Sequence, residues 1–215
     1  LASHYKYPRR GRTSEFHCHR RRLDLAVPLY RRAARLGHVE AMTSLALFHE
    51  YGQRPHARAA MRWRRAAAEQ GDSLWQRDLG DRYRDGRSVR RSARLATAWY
   101  RRAARSGSEE ALVDLGHAYR LGHGVRHSPR RAFALYERAA RSRERFSQRI
   151  ASYWVGRCYS EGIGVAKDQR AAVHWLERSA RLDYAAAQEA LGSCYLEGRG
   201  VRRDLARALC WTRKA

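Results

Sequence analysis

"ALVDLGHAYRLGHGVRHSPRRAFALYERAA", residues 111–140, decides how the rest of the chain is read. Ala111, Leu115 and Tyr119 fall at i, i+4 and i+8, one face of a 3.6-residue period, so the stretch opens as a helix. Gly122-His123-Gly124-Val125 then stops it, with glycines for positive φ and a valine tucked back as an apolar plug. Ser128 before Pro129 is a helix-start signal. Ala132, Leu135, Tyr136 and Ala139 carry a second helix, which in another copy ends near Gly107.

The same word recurs. Leu45, Leu79, Leu115, Val155 and Leu191 are equivalent anchors, separated by 34, 36, 40 and 36 residues. A period in the mid-thirties is the length of a helix-turn-helix solenoid unit. Seven residues after each anchor stands Gly52, Gly86, Gly122, Gly162 or Gly198. The short step reflects a two-residue deletion around "GQRPHA"; the long one holds four extra residues around "RSRERFSQ", 141–148, where a bulging loop is expected. Gly80, Gly116, Gly156 and Gly192 follow their anchors inside the first helix. A helical glycine costs about 1 kcal/mol against alanine, so its recurrence predicts a second helix passing close by. Ser92, Asp168 and Asp204 are expected to cap second helices as Ser128 does.

Composition adds a charge problem. Lys+Arg is 45 against 21 acids, a net charge of +24, and only Lys6, Lys167 and Lys214 are lysines. Codon usage can favour Arg over Lys, but it does not remove acids. An excess of this size repels itself unless an anionic partner neutralises it, and nucleic acid is the commonest polyanion. No apolar run approaches the ~20 residues that span a bilayer. The chain starts at Leu1 and stops at Ala215 inside a repeat, so both ends read as cuts and leave room for a targeting peptide. Cys18, Cys158, Cys194 and Cys210 show no pairing pattern. Cys158 and Cys194 hold the same slot of neighbouring repeats, about a helix diameter (~10 Å) apart, so free thiols in a reducing, intracellular compartment are expected.

Sites of chemistry are sparse. Trp63, Trp99, Trp175 and Trp211, with Tyr83, Tyr119, Tyr159 and Tyr195, stand at helical spacing and are read as filling seams between stacked helices. His17-Cys18-His19 lacks a second ligand pair at zinc spacing. His117, His123 and His127 are read as a solvated edge around a turn. The "GHG" and "GIG" turns have no following Lys-Ser/Thr and no preceding strand, so they are not phosphate loops. No nucleophile, base and orienting group come together, and no cofactor is expected. Residues 1–22, with "HYKYPRRGR", read as an extended basic arm that could stack on bases and grip phosphates.

The pattern Leu-Gly-x-x-Tyr-x-x-Gly-x-Gly-Val, a capping Asp or Ser, then Ala-x-x-Trp-Tyr-x-x-Ala-Ala, resembles the Sel-1-like repeat, a relative of the tetratricopeptide repeat. The likeness covers residues 23–215, as a half-repeat, four full repeats and a half-repeat. It is strongest in "VGRCYSEGIGVAKDQRAAVHWLERSA" and weakest at 45–67, where His49 replaces the tyrosine and the turn is lost. The resemblance implies an all-α, right-handed superhelical solenoid of antiparallel helix pairs. It also implies a non-catalytic adaptor for protein partners in a larger assembly, using a groove lined mostly by the first helices. The alternative that the charge and the arm suggest is an RNA-contacting subunit of a ribonucleoprotein such as an organellar ribosome, with the mitochondrial matrix as a possible location.

Two basic rows carry that alternative. The slot before the Ala-Ala pair of the second helices holds Arg32, Arg65, Arg102, Arg138, Arg178 and Lys214. Three residues on stand Arg35, Ala68, Arg105, Arg141 and Arg181. Residues three apart share a helix face, so a continuous basic stripe is expected to bind RNA or another polyanion. The family's usual pattern also has a basic residue in the first row but more often an acid in the second, so the second-row arginines carry the argument.

Overall fold

In a computed structural model, residues 26–52 and 55–215 are described. The arm, Cys18 and the His17-Cys18-His19 motif lie outside them. Every regular element among the described residues is a helix. They are α1 (26–35), α2 (Val39–Tyr51), α3 (Ala57–Glu69), α4 (Ser73–Asp85), α5 (Ala93–Arg105), α6 (Glu109–Leu121), α7 (Pro129–Ala140), α8 (Arg145–Glu161), α9 (Gln169–Ala180), α10 (Ala185–Glu197) and α11 (Leu205–Lys214). They fall into two compact bodies, one ending at Gln70 and one running from Gly71 to Ala215. In the first, α2 packs on α3. In the second, α4–α5, α6–α7, α8–α9 and α10–α11 are packed pairs, each joined to the next through the following first helix. A half-repeat was expected at the C-terminal end. The structure carries both helices there, because Asp204 caps α11 and ten residues suffice to bury Ala208 against α10.

The turn chemistry works as read. Gly86, Gly122, Gly162 and Gly198 end the first helices with φ of 77, 71, 76 and 74°. Ser92, Ser128, Asp168 and Asp204 each accept a backbone N–H of the second helix. Their own N–H groups return to the carbonyls of Tyr83, Tyr119, Tyr159 and Tyr195 at 2.8–3.0 Å, so every turn closes on the tyrosine slot. Where the turn motif is lost, Gly52 ends α2 in extended backbone instead.

The second turn glycine has a further reason. A Cβ on Gly124 would collide with the carbonyl of Ala93 and lie 2.6 Å from the amide of Arg94, at the start of the preceding second helix. Gly164 sits in the same way on Pro129 and Arg130, and Gly200 on Gln169 and Arg170. Backbone therefore stacks on backbone from one turn to the next.

The helical glycine is a contact point, as its recurrence predicted. A Cβ on Gly116 would overlap the ring of Tyr136, one on Gly80 the ring of Tyr100, and one on Gly156 would stand 2.9 Å from Cγ of Leu176. In the pair α2–α3 those slots hold Ala46 and Arg64. Arg64 is buried and ion-paired with Glu50.

One expectation fails. The four extra residues near 141–148 do not bulge as a loop. They lengthen α8 to 17 residues where α2, α4, α6 and α10 have 13, which is one added turn at 3.6 residues per turn. Arg145–Gln148 contains no glycine or proline to stop a helix, and the Glu144 carboxylate caps the amides of Phe146 and Ser147 at 2.8 and 2.5 Å.

Candidate functional site

Within the body from Gly71 to Ala215, α6 packs directly on α8, so first helices form the inner row. Its surface is graded. At α4 and α6 it is ionic: Arg77 on α4 donates to Asp114 on α6 at 2.8 Å, and Asp81 accepts from Tyr100 and pairs with Arg84, each at 2.8 Å. Burial raises the Asp114 carboxyl above the ordinary range, and the Arg77 charge opposes that shift. At α10 the surface thins to half-buried Ala186, Ala190 and Ser193.

Between them is a cluster of aromatics and guanidinium groups. Trp154, the residue before the α8 anchor, is half-buried. Its ring stacks on Tyr136 (5.8 Å, 21°), meets His117 edge-on (4.8 Å, 78°), and lies under the Arg120 guanidinium at 4.6 Å. Tyr136 and Nδ1 of His117 share a 2.8 Å hydrogen bond. Next to it, Arg157 donates to the Tyr153 hydroxyl at 3.0 Å and pairs with Glu161, and Tyr153 meets Tyr184 edge-on at 5.2 Å. Burial, then the positive charges of Arg120 and Arg84, push His117 down to about 4, so its imidazole is neutral at pH 7.

This cluster was not foreseen. His117 was grouped with His123 and His127 as a solvated edge; the latter two are exposed at the turn, whereas His117 points into the helix seam. The slot before the anchor reads Asp78, Asp114, Trp154, Ala190, and a tryptophan in an otherwise polar or small slot is the one signal the sequence offered.

The seam aromatics need a second correction. Trp63, Trp99, Trp175 and Trp211 are half-exposed rather than core, and a cation covers each: Arg62 (5.6 Å), Arg102 (4.9 Å), Arg178 (5.2 Å) and Lys214 (4.7 Å). The residue after the tryptophan slot fills the seam instead, Tyr100 and Tyr136 being buried. Tyr83 and Tyr195 are buried too, and Tyr119 and Tyr159 half-buried.

The expected stripe is paired in part. Arg32, Arg35, Arg102, Arg105, Arg138, Arg141 and Arg181 are exposed and Arg178 half-buried. Arg141 is tied to Glu137 at 2.9 Å and Arg181 to Glu177 at 3.3 Å, one helical turn back. In α5 that turn-back position is Arg101, so Arg105 has no such acid. Arg65 does not belong to the row. Ala57 and Ala93 both open second helices, and in that register Arg65 matches Arg101, while Ala66 and Glu69 take the slots of Arg102 and Arg105. The three alanines at 66–68 hide this one-residue offset in the sequence.

Among the described residues no three His, Cys, Asp or Glu side chains cluster as metal ligands, and no helix is long and apolar enough to cross a membrane. Cys158, Cys194 and Cys210 are free thiols, and burial pushes Cys158 up to about 11.

Helix pairs stacked through small-residue seams, with an open inner surface, define an α-solenoid repeat protein. The family model for the Sel1 repeat matches residues 23–38, 39–72, 76–108, 109–143, 149–184 and 185–215, and the chain belongs to that family. Sel1 repeat proteins are protein-interaction scaffolds. The chain is similar to a Sel1 repeat protein from Oxalobacter formigenes at 27% identity, with a TM-score of 0.77 over 90% of this chain and 81% of that one. It shares its fold with the protective antigen c5321 of uropathogenic Escherichia coli (23% identity, TM-score 0.53, 87% of this chain and 48% of that one). It also shares it with the immunity protein Pa5087 of Pseudomonas aeruginosa (19%, 0.51, 89% and 73%). No curated protein matches the chain.

Proposed function

We propose that the chain is a non-catalytic scaffold that seats a protein partner on the first-helix surface between α4 and α10, anchored at Trp154. The carrying observation is Trp154 itself, half-open and braced by Tyr136, His117 and Arg120. Tryptophan, tyrosine and arginine dominate the energetics of protein interfaces, and a preset ring loses little entropy when a partner covers it. The test is quantitative affinity capture with nuclease present, comparing wild type with a Trp154→Ala/Arg120→Ala variant of unchanged helical spectrum. Nuclease-resistant partners are expected to fall at least about tenfold in the variant, the size of an interface hot spot. Equal recovery from both proteins sinks the groove as the docking surface.

A second reading, an RNA-contacting subunit of a ribonucleoprotein such as an organellar ribosome, is favoured by how charge is segregated. In the Gly71–Ala215 body, α5 and α11 contain no acid and α7 and α9 only Glu137 and Glu177, while the first helices carry most of the acids. A reducing compartment, the mitochondrial matrix included, fits free thiols, with Cys158 and Cys194 buried and Cys210 exposed.

A further inference from the structure

A second set of exposed cations lies apart from the first-helix surface and the expected stripe. It lies on the edge where first helices turn into second helices. The fifth residue beyond each cap glycine is Arg91, His127, Lys167 or Arg203, with Arg126 beside His127. The Cβ of each of those four stands 3.4–3.6 Å from where a Cβ on its cap glycine would be, so the slot is the same in every copy. The first turn of the second helix adds Arg94, Arg130 and Arg170.

Three observations make this edge a surface for an anionic polymer. Arg91, Arg126, Lys167 and Arg203 are exposed and, like Arg94, Arg130 and Arg170, have no ion pair among the described residues, whereas Arg141 and Arg181 of the stripe each pair with an acid one turn back; the acids nearest the edge cations, Asp168 and Asp204, are engaged as helix caps. The cations are contiguous, because Gly124, Gly164 and Gly200 rest on the backbone of Ala93–Arg94, Pro129–Arg130 and Gln169–Arg170. Each turn thus carries its cations onto the preceding helix start. The N-termini of α5 and α7, capped by the neutral Ser92 and Ser128, also point to this edge, and their dipoles add partial positive charge; at α9 and α11 the Asp168 and Asp204 carboxylates meet that end.

Resting on the RNA reading, we propose that this turn edge binds the phosphodiester backbone of a nucleic acid, largely without regard to base sequence. Arg and Lys interchange within one slot, which keeps a cation but not a guanidinium fork, and in the copy that carries His127 the cation is Arg126 beside it, so the contact is made by point charge. A regular array of cations matches a polymer with one charge per residue in any register. An acidic protein segment would have to bring a dense run of carboxylates.

The test compares two triple variants with the same change in net charge. Arg91→Glu/Lys167→Glu/Arg203→Glu reverses three cations of the edge, and Arg105→Glu/Arg141→Glu/Arg181→Glu reverses three of the stripe. Binding to 30-nucleotide oligo(U) and oligo(A) is measured at several salt concentrations, with polyglutamate as competitor and the helical spectrum as a folding check. The edge variant is expected to bind both oligonucleotides roughly 30- to 100-fold more weakly near 0.1 M salt, with a log–log salt slope shallower by about 2. The stripe variant should stay within about threefold. If both variants weaken equally, or the stripe variant weakens more, the edge is wrong although nucleic-acid binding stands. Failure of the wild type to bind either oligonucleotide overturns the RNA reading itself. Polyglutamate binding more tightly than both oligonucleotides assigns the edge to an acidic protein.

Discussion

The imidazole of His117 is enclosed by Tyr136, Trp154 and Arg120. Protonating it there would bury a cation beside a guanidinium, which is why it is pushed down to about 4. An unfolded histidine takes its proton near 6.5. Between those values the unfolded chain binds more protons than the folded one, so stability falls as pH drops. The loss is expected to reach about 2 kcal/mol at pH 5 and about 3 kcal/mol below pH 4. Urea midpoints at pH 7 and pH 5 check this, because a His117→Gln variant should lose less on acidification than wild type. Equal losses would place the acid-sensitive group elsewhere. Nothing next to His117 in the chain marks it as buried; the ring that encloses it comes from α8, 37 residues further on.

Between helices, a small residue in one must match the shape crossing it from the other. Gly116 faces the rigid ring of Tyr136, whereas Ala46 in α2 shares its pair with the flexible Arg64. Alanine normally favours a helix over glycine by about 1 kcal/mol, but here Gly116→Ala is expected to destabilise by about 1–3 kcal/mol through overpacking. The converse holds in α2–α3. Arg64→Tyr alone should be poorly tolerated, and adding Ala46→Gly should recover part of the loss, a coupling of about 1 kcal/mol. Thermal melts of the four proteins of that cycle measure it, and strict additivity would show that the two slots do not touch. The lengthened α8 teaches the converse lesson at the same scale. Four inserted residues without glycine or proline are accommodated as helix, because a full turn adds length while leaving the anchor Val155 facing the core, fully buried.

Over the whole molecule, a net charge of +24 acts against compaction. The described ion pairs join mostly near neighbours on exposed surface, where each contributes about 0–1 kcal/mol, and they do not offset the excess. Raising salt from about 30 to 300 mM shortens the Debye length from about 18 to 6 Å and should raise the thermal midpoint by a few degrees. A midpoint that falls with salt would mean that ion pairs outweigh repulsion. The repeat, its turns, its second-helix caps and its fold class were legible in the chain, because helix periodicity and positive-φ glycines are local and each copy repeats them. What only the tertiary structure decided is which repeated residues meet a partner. Trp154 gains its brace from two other helices, Arg141 and Arg181 pair with acids a turn away, and Arg65 leaves its row when caps, rather than alanines, set the register. Stacking also sets the turns of successive repeats edge to edge, because Gly124, Gly164 and Gly200 leave room for backbone where any side chain would collide. Periodicity assigns a residue to a face of its own helix; what that face meets depends on which other helices pack against it.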